Sequence, residues 1–282
     1  MKSHLYHIVL SCIGLALCAC VDQINLELEA GQSNVVVFGW ITDEAVPYEI
    51  KLSWSNGYSD QSGYLPVSEA KVYVTDQSGT QYDFVEIATS GRYQSDPSVF
   101  VGQPGGIYQL TIHHGQSIYQ SAKEELPPLS PVQDVFVDFV ADPADFNVKP
   151  EDENFFVSAF VEDDVILENY YRWKVYVNNE LRNKPEELVL FDDQFTNGNK
   201  FKYDASNVLF TAADQAQIQH MSLSKGAFEY YINIKEQTSS SALTPRIQPG
   251  IIKGNMSNPN NDNELVLGYF GASAVATIQV GK

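Results

Sequence analysis

The sequence predicts a mostly-β protein, and three features support that class. Apolar and polar residues alternate in short runs along much of the chain, which is the period of a half-buried strand. Turn-forming residues separate these runs at intervals typical of β-sandwiches. Tyrosine (16) and phenylalanine (15) are abundant, and both favour sheets. We expect an N-terminal immunoglobulin-like or transthyretin-like β-sandwich, followed by a second mostly-β domain with one short helix.

The N-terminus is typical of a signal peptide. The apolar run over residues 8–17 has the length of a signal-peptide core and is too short to span a bilayer as a helix. Ala19 precedes Cys20, and Leu17 stands three positions before it, the pattern that lipoprotein signal peptidase requires. We predict removal of residues 1–19 and lipidation of Cys20. The alternative is an ordinary secretory signal cleaved near Ala19.

The cysteine content is consistent with lipidation. The three cysteines of the chain are Cys12, Cys18 and Cys20, all in this segment. Cleavage before Cys20 would leave one cysteine, and acylation would remove its thiol, which suits an oxidising compartment. We therefore expect an outer-membrane lipoprotein that faces either the periplasm or the cell surface.

The charge of the chain is strongly negative. It has 17 basic and 36 acidic side chains, a formal net charge of −19. Such a surface argues against nucleic acid or anionic lipid headgroups as partners. Because the acidic residues are spread along the chain, the charge indicates a solvated extracytoplasmic surface.

The N-terminal sandwich is predicted at residues 34–126, after a polar tether at 20–33. Its seven predicted strands lie at 35–41, 48–55, 71–76, 82–87, 91–95, 107–114 and 117–123. Three prolines in or at the end of the segment 127–131 favour an extended, stiff linker to the next domain.

The C-terminal domain is predicted at residues 132–282. Its predicted strands lie at 132–141, 155–162, 170–178, 187–192, 200–203, 208–210, 266–270 and 274–280, the last two divided by Gly271. Phe228, Tyr231 and Lys235 fall at helical spacing within 221–240, and Ser224 stands where a helix N-cap would lie. We predict one short helix there.

An aromatic loop is the first candidate binding site. Trp54, Tyr58 and Tyr64 lie in or beside the loop 56–66, where they would form a platform for a sugar or a peptide. The alternative is that Trp54, at the end of a strand, belongs to the core.

A second candidate site is a calcium loop. Asn258, Asn260, Asp262 and Glu264 alternate along the chain and supply the hard oxygen ligands that calcium prefers. The alternative is that these side chains stabilise their own turns. No other cofactor is predicted.

The sequence predicts no catalysis. His113 and His114 would point to opposite faces of a strand and make a poor zinc pair. The stretch 271–275 has valine where a nucleophile elbow has glycine. Carboxylate pairs such as Asp163-Asp164 and Asp192-Asp193 leave glycosidase-type chemistry as an alternative.

Two C-terminal stretches carry a family resemblance. They are Gly254-Asn255-Met256-Ser257-Asn258-Pro259 and Val266-Leu267-Gly268-Tyr269-Phe270-Gly271-Ala272-Ser273. With the lipidation motif, they make the chain resemble the domain of unknown function 4249 family of Bacteroidota lipoproteins. We expect Tyr269 and Phe270 to anchor the last part of the chain into the second core.

The resemblance implies an outer-membrane lipoprotein that accompanies a TonB-dependent receptor, and it implies no catalytic residues. We therefore predict a lipid-anchored accessory or binding protein that works with such a receptor or another envelope protein. The alternatives are a structural or envelope-assembly subunit and a glycan-directed hydrolase.

Overall fold

The computed structural model describes residues 33–56, 63–140, 154–162, 168–194, 198–238 and 250–280. About 50% of the described residues are in strands and 8% in helices, so the predicted mostly-β class is confirmed. In the described ranges, no helix has both the length and the apolar character needed to cross a membrane.

Nine strands precede the proline-rich segment in the described part of the chain. They are β1 (Val35–Thr42), β2 (Glu49–Trp54), β3 (Leu65–Pro66), β4 (Lys71–Asp76), β5 (Gln81–Glu86), β6 (Arg92–Ser95), β7 (Ile107–His114), β8 (Ser117–Ser121) and β9 (Glu124–Glu125). The seven predicted strands match β1, β2 and β4 to β8 to within two residues. The two-residue strands β3 and β9 were not predicted because they are too short to show alternation.

The second half contains ten strands and one α-helix among its described residues. They are β10 (Val132–Phe139), β11 (Phe155–Glu162), β12 (Tyr170–Val177), β13 (Glu180–Arg182), β14 (Val189–Asp192), β15 (Lys200–Asp204), β16 (Ala216–Leu223), helix α1 (Lys225–Thr238), β17 (Met256–Ser257), β18 (Leu267–Ser273) and β19 (Val275–Gln279). A 3₁₀ turn at Pro185–Glu187 precedes β14.

Several predicted boundaries in this half are wrong. Residues 208–210 form an isolated bridge from Phe210 to Phe155 rather than a strand. The strand β16 was not predicted, and β18 runs through Gly271 and ends one residue before Ala274. The helix was predicted correctly, with Ser224 as its cap: the Ala227 amide donates to Ser224 Oγ at 3.1 Å.

The first sheet has eleven strands and includes two from the C-terminal half, β17 and β18. Its order is β17-β8-β7-β4-β5-β6-β2-β1-β18, with β3 paired to β2 and β9 to β7. Its buried side chains form the first core, which includes Val37, Ile50, Leu110 and Phe270. The expectation that Tyr269 and Phe270 anchor this part of the chain into the second core is therefore wrong, because β18 pairs in parallel with β1. Phe270 belongs to the first core, and Tyr269 belongs to a separate cluster with the helix.

Asn255 closes this sheet on itself. Its Nδ2 donates to the Phe270 carbonyl at 2.7 Å, and its Oδ1 accepts from the Phe270 amide at 3.0 Å. Its own carbonyl accepts from the Ala122 amide, just beyond β8, at 2.7 Å. Asn255 therefore bridges the two ends of the sheet: its side chain bonds to β18 as a neighbouring strand would, and its backbone carbonyl bonds to the residue that follows β8.

Two glycines permit this close approach. A Cβ on Gly254 would lie 1.5 Å from the Gly268 carbonyl oxygen, and this backbone atom cannot move aside to make room. Gly268 itself has φ of +92°, and its Cβ would lie 1.8 Å from the Val37 carbonyl oxygen. The two stretches that carry the family resemblance therefore pack backbone against backbone around β18.

Two further sheets enclose the second core. One is β10-β11-β15, and the other is β13-β12-β16-β19 with β14 paired to β12. The second core includes Val157, Ala159, Trp173, Val175 and Ile218. Residues Ser33–Lys282 form one compact unit, and the predicted division of the chain at residues 127–131 stays a prediction.

Helix α1 packs over β18 and forms a third core with it. Tyr231 and Ala227 from the helix contact Tyr269 of β18. The ring of Trp40 lies 5.7 Å from that of Tyr231, and the Arg172 guanidinium lies 4.4 Å above the Tyr231 ring. The helix therefore joins β1 and β18 to β12, and its first turn points towards β9.

Candidate functional site

A cavity of about 510 Å³ opens where four segments meet. They are β9, the first half of helix α1, residues 253–255 and β18. Glu124 lies at the floor of this cavity and is only 5% exposed. A buried carboxyl group that lines a cavity is a candidate functional group, because burial shifts pKa values and shifted pKa values cluster at functional sites.

Three side chains donate hydrogen bonds to Glu124. The Ser224 hydroxyl donates to Oε1, and the Tyr269 hydroxyl lies 3.2 Å from Oε1 and 3.1 Å from Oε2. Asn255 Nδ2 lies 3.4 Å from Oε2. Burial raises the pKa of Glu124 to about 7, although the three donors act in the opposite direction. Glu124 therefore exchanges a proton near neutral pH.

Local structure fixes each donor in place. Ser224 caps helix α1 and so is held by the helix itself. Tyr269 is held by stacking, with its ring 4.9 Å from Tyr230 and 6.2 Å from Trp40. A Cβ on Gly226 would lie 2.9 Å from the Tyr269 hydroxyl, so a larger residue there would crowd it. Burial and the nearby Glu124 charge raise the pKa of Tyr269, which keeps it protonated as a donor.

The rim of the cavity carries charges of both signs. Its exposed charged side chains are Lys123, Glu125, Lys225, Glu229 and Lys253. Lys225 also lines two neighbouring cavities, of about 250 and 360 Å³. The rim is therefore close to neutral, while the floor holds a single carboxyl group.

The arrangement lacks the parts of a nucleophilic site. Ser224 donates to a carboxyl group and has no histidine among its contacts in the described structure. The buried His220 lies elsewhere, where its Nδ1 accepts from Trp173 Nε1 at 2.9 Å and its Nε2 lies 3.1 Å from the Ser130 carbonyl. Burial lowers the pKa of His220 to about 4, so this side chain is neutral and part of the second core.

The predicted aromatic platform is divided by the structure. Trp54 is partly buried and packs against the first core, with its ring 6.0 Å from that of His114. Tyr64 is 89% exposed and lines a cavity of about 740 Å³ with Phe38 and Arg92. Tyr58 lies outside the described residues, as does Cys20. Ligand binding by this group stays a prediction.

The predicted calcium residues mainly contact one another and the sheet. Asn258 Nδ2 donates to Glu264 at 2.7 Å, and Asn258 Oδ1 accepts from the Asn260 amide at 2.9 Å. The Tyr119 hydroxyl donates to the other oxygen of Glu264 at 2.9 Å. The described ranges contain no group of three or more His, Cys, Asp or Glu side chains placed to hold a metal ion. Asp262 is exposed, and calcium binding stays a prediction.

Sequence reasoning missed Glu124. It lies in the run Lys123-Glu124-Glu125, which has the composition of a solvated strand end. Its burial depends on Asn255 and Tyr269, more than 130 positions away along the chain. The available signal was indirect: both of these residues lie in the stretches that carried the family resemblance.

The fold and the cavity define a mostly-β protein whose C-terminal segment completes an N-terminal sheet and buries a carboxyl group beside it. The family model described as Domain of unknown function (DUF4249) matches residues 21–279, and the chain belongs to this family. No curated protein matches the chain.

Proposed function

We propose that this protein is a lipid-anchored accessory lipoprotein of the outer membrane that works with a TonB-dependent receptor and catalyses no reaction. The observation that carries the proposal is the lipidation motif ending at Cys20, placed before a β-rich body of this family. A lipid anchor keeps such a body at a membrane surface, where an integral receptor is within reach.

An exposed apolar surface supports a protein partner. Phe136, Phe139 and Phe201 are 41%, 58% and 46% exposed, and they lie on the outer strands β10 and β15 of the three-stranded sheet. In the described structure, each of these two strands is paired on one side only. Exposed apolar side chains on open sheet edges are common at protein interfaces.

Co-purification from native membranes tests the proposal. The tagged full-length chain would be solubilised in mild detergent, with a Cys20→Ser variant as the unanchored control. We expect a TonB-dependent receptor in stoichiometric amount with the wild-type chain and a reduced amount with C20S. Recovery with secretion or assembly components would favour the envelope-assembly alternative, and recovery alone would contradict the proposal.

A glycan-directed hydrolase is the competing proposal, and one cavity favours it. The cavity of about 360 Å³ is lined by Glu168, Asp192, Asp193 and Glu229. Asp193 accepts from the Asn169 amide at 2.9 Å, and Asp192 from the Gln194 amide at 3.1 Å. Release of reducing ends from a glycan panel, abolished by Asp192→Asn, would support hydrolysis; no release would exclude it for that panel.

A further inference from the structure

The Glu124 cavity has the size of a ligand site. Its volume of about 510 Å³ lies within the range of about 300–1,000 Å³ typical of small-molecule and side-chain pockets. One wall is formed by the stacked rings of Tyr230 and Tyr269, and the floor by the carboxyl of Glu124. The cavity therefore presents aromatic surface next to a single acidic group.

The carboxyl group has an acceptor position to spare. An ionised carboxylate offers about four lone-pair sites. Its donors in the structure are one hydroxyl of Ser224, one hydroxyl of Tyr269 and one N–H of Asn255. One acceptor site is therefore left for a donor that enters from the cavity.

The carboxyl group also has no cationic partner in the part of the chain that the structure describes. None of the ion pairs among the described residues involves Glu124. A buried carboxylate without a cation is costly, whereas one that binds an ammonium group by a charge-assisted hydrogen bond is stabilised. The faces of tyrosine rings attract cations as well.

We propose that this cavity binds a primary ammonium group, with Glu124 as its acceptor and the rings of Tyr230 and Tyr269 beside it. The net charge of −19 attracts cations towards the chain over longer distances. The inference goes beyond the proposed function and requires neither the lipid anchor nor a receptor. The ammonium group could be that of a free amine or of a lysine side chain, and the test separates these two sources.

Several charged and titratable groups face the site, and we expect the pH dependence of ammonium binding to follow the ionisation of one of them. They are Lys123, Glu125, Lys225, Glu229, Lys253 and Tyr230 on the rim and walls. Glu124 is the group among the lining residues whose pKa of about 7 places its ionisation in the neutral range. The ammonium probe stays charged throughout this range, since amine pKa values lie near 10.

Calorimetric titration of the full-length chain in nonionic detergent tests the proposal. The probes are n-butylamine, the blocked peptide acetyl-Gly-Lys-Gly-amide and its neutral counterpart with glutamine in place of lysine. We expect the lysine peptide or butylamine to bind at pH 8, and binding to weaken roughly thirtyfold at pH 5.5, the ratio of ionised fractions for a pKa of about 7. Binding of the peptide but not of butylamine identifies the lysine side chain as the ligand; equal binding of both identifies the amine alone.

Matched variants assign the binding to Glu124. Glu124→Gln keeps the shape and removes the charge, and we expect it to weaken binding at least tenfold at pH 8. Glu180→Gln makes the same change in net charge at an exposed site on β13 and should leave binding unchanged. Absence of binding by both amines, equal binding of the glutamine peptide, or unaltered binding by E124Q with a wild-type thermal transition would overturn the proposal.

Discussion

Closure of the first sheet by Asn255 gives a quantitative prediction for the variant Asn255→Ala. The change removes two hydrogen bonds to the Phe270 backbone, at 2.7 and 3.0 Å, and leaves both backbone groups of a fully buried residue without these partners. A net hydrogen bond contributes about 1 kcal/mol, and a buried group left unsatisfied costs about 1–3 kcal/mol. We therefore expect the free energy of unfolding to fall by about 3–4 kcal/mol.

Urea denaturation followed by tryptophan fluorescence measures this loss. Trp40 lies on β1, beside β18, so its emission reports on the closed sheet. The matched control is Asn260→Ala, an exposed asparagine in the following loop, which should change stability by less than about 0.5 kcal/mol. If N255A were as stable as N260A, the side chain of Asn255 would not close the sheet, and our explanation of the Gly254-Asn255 motif would be refuted.

Three further predictions concern buried groups and close backbone contacts. Gly268→Ala should prevent folding or lower the free energy of unfolding by at least about 4 kcal/mol, because its Cβ would meet the Val37 carbonyl. Gly79 is also at positive φ but has open space around it, so Gly79→Ala should lower the free energy of unfolding by only about 1–2 kcal/mol in the same urea assay. Burial lowers the pKa of His220 to about 4, so the unfolded chain binds more protons than the folded chain between pH 6.5 and 4. The free energy of unfolding should therefore fall by roughly 3 kcal/mol as the pH is lowered through that window, and His220→Gln should lose this dependence. Glu124 should affect stability in the opposite direction, because its raised pKa of about 7 makes the folded chain bind more protons than the unfolded chain between pH 4.5 and 7. The free energy of unfolding of E124Q relative to wild type should therefore rise by roughly 3 kcal/mol from pH 4.5 to 8, and a pH-independent difference would contradict the assignment.

The strands of the first sheet could be predicted because most of them alternate. In β1 the odd-numbered residues such as Val37 and Ile41 are buried, and the period of two is visible in the sequence. The strand β16 was missed because Ala216–Leu223 mixes glutamine, histidine and serine with apolar residues. His220 and Ser222 are buried there and hydrogen-bonded, which hydropathy alone does not reveal.

The candidate site could be predicted only in part, for a different reason. Asn255 and Tyr269 stood out through the family resemblance, but their common partner Glu124 did not. The contact depends on β18 returning to pair with β1, a parallel pairing between residues more than 200 positions apart. No local pattern encodes such a pairing, since it joins segments that are far apart in the sequence.

The C-terminal segment encloses a cavity with a buried, ionisable Glu124, and we infer that this carboxylate accepts a cation. NMR titration of the Glu124 carboxyl carbon, assigned by comparison with E124Q, tests it most directly. We predict a midpoint near pH 7 that moves to lower pH when the lysine peptide is added. A midpoint near the ordinary value of 4.5, unaffected by the peptide, would contradict both the burial of this carboxyl and its role in binding.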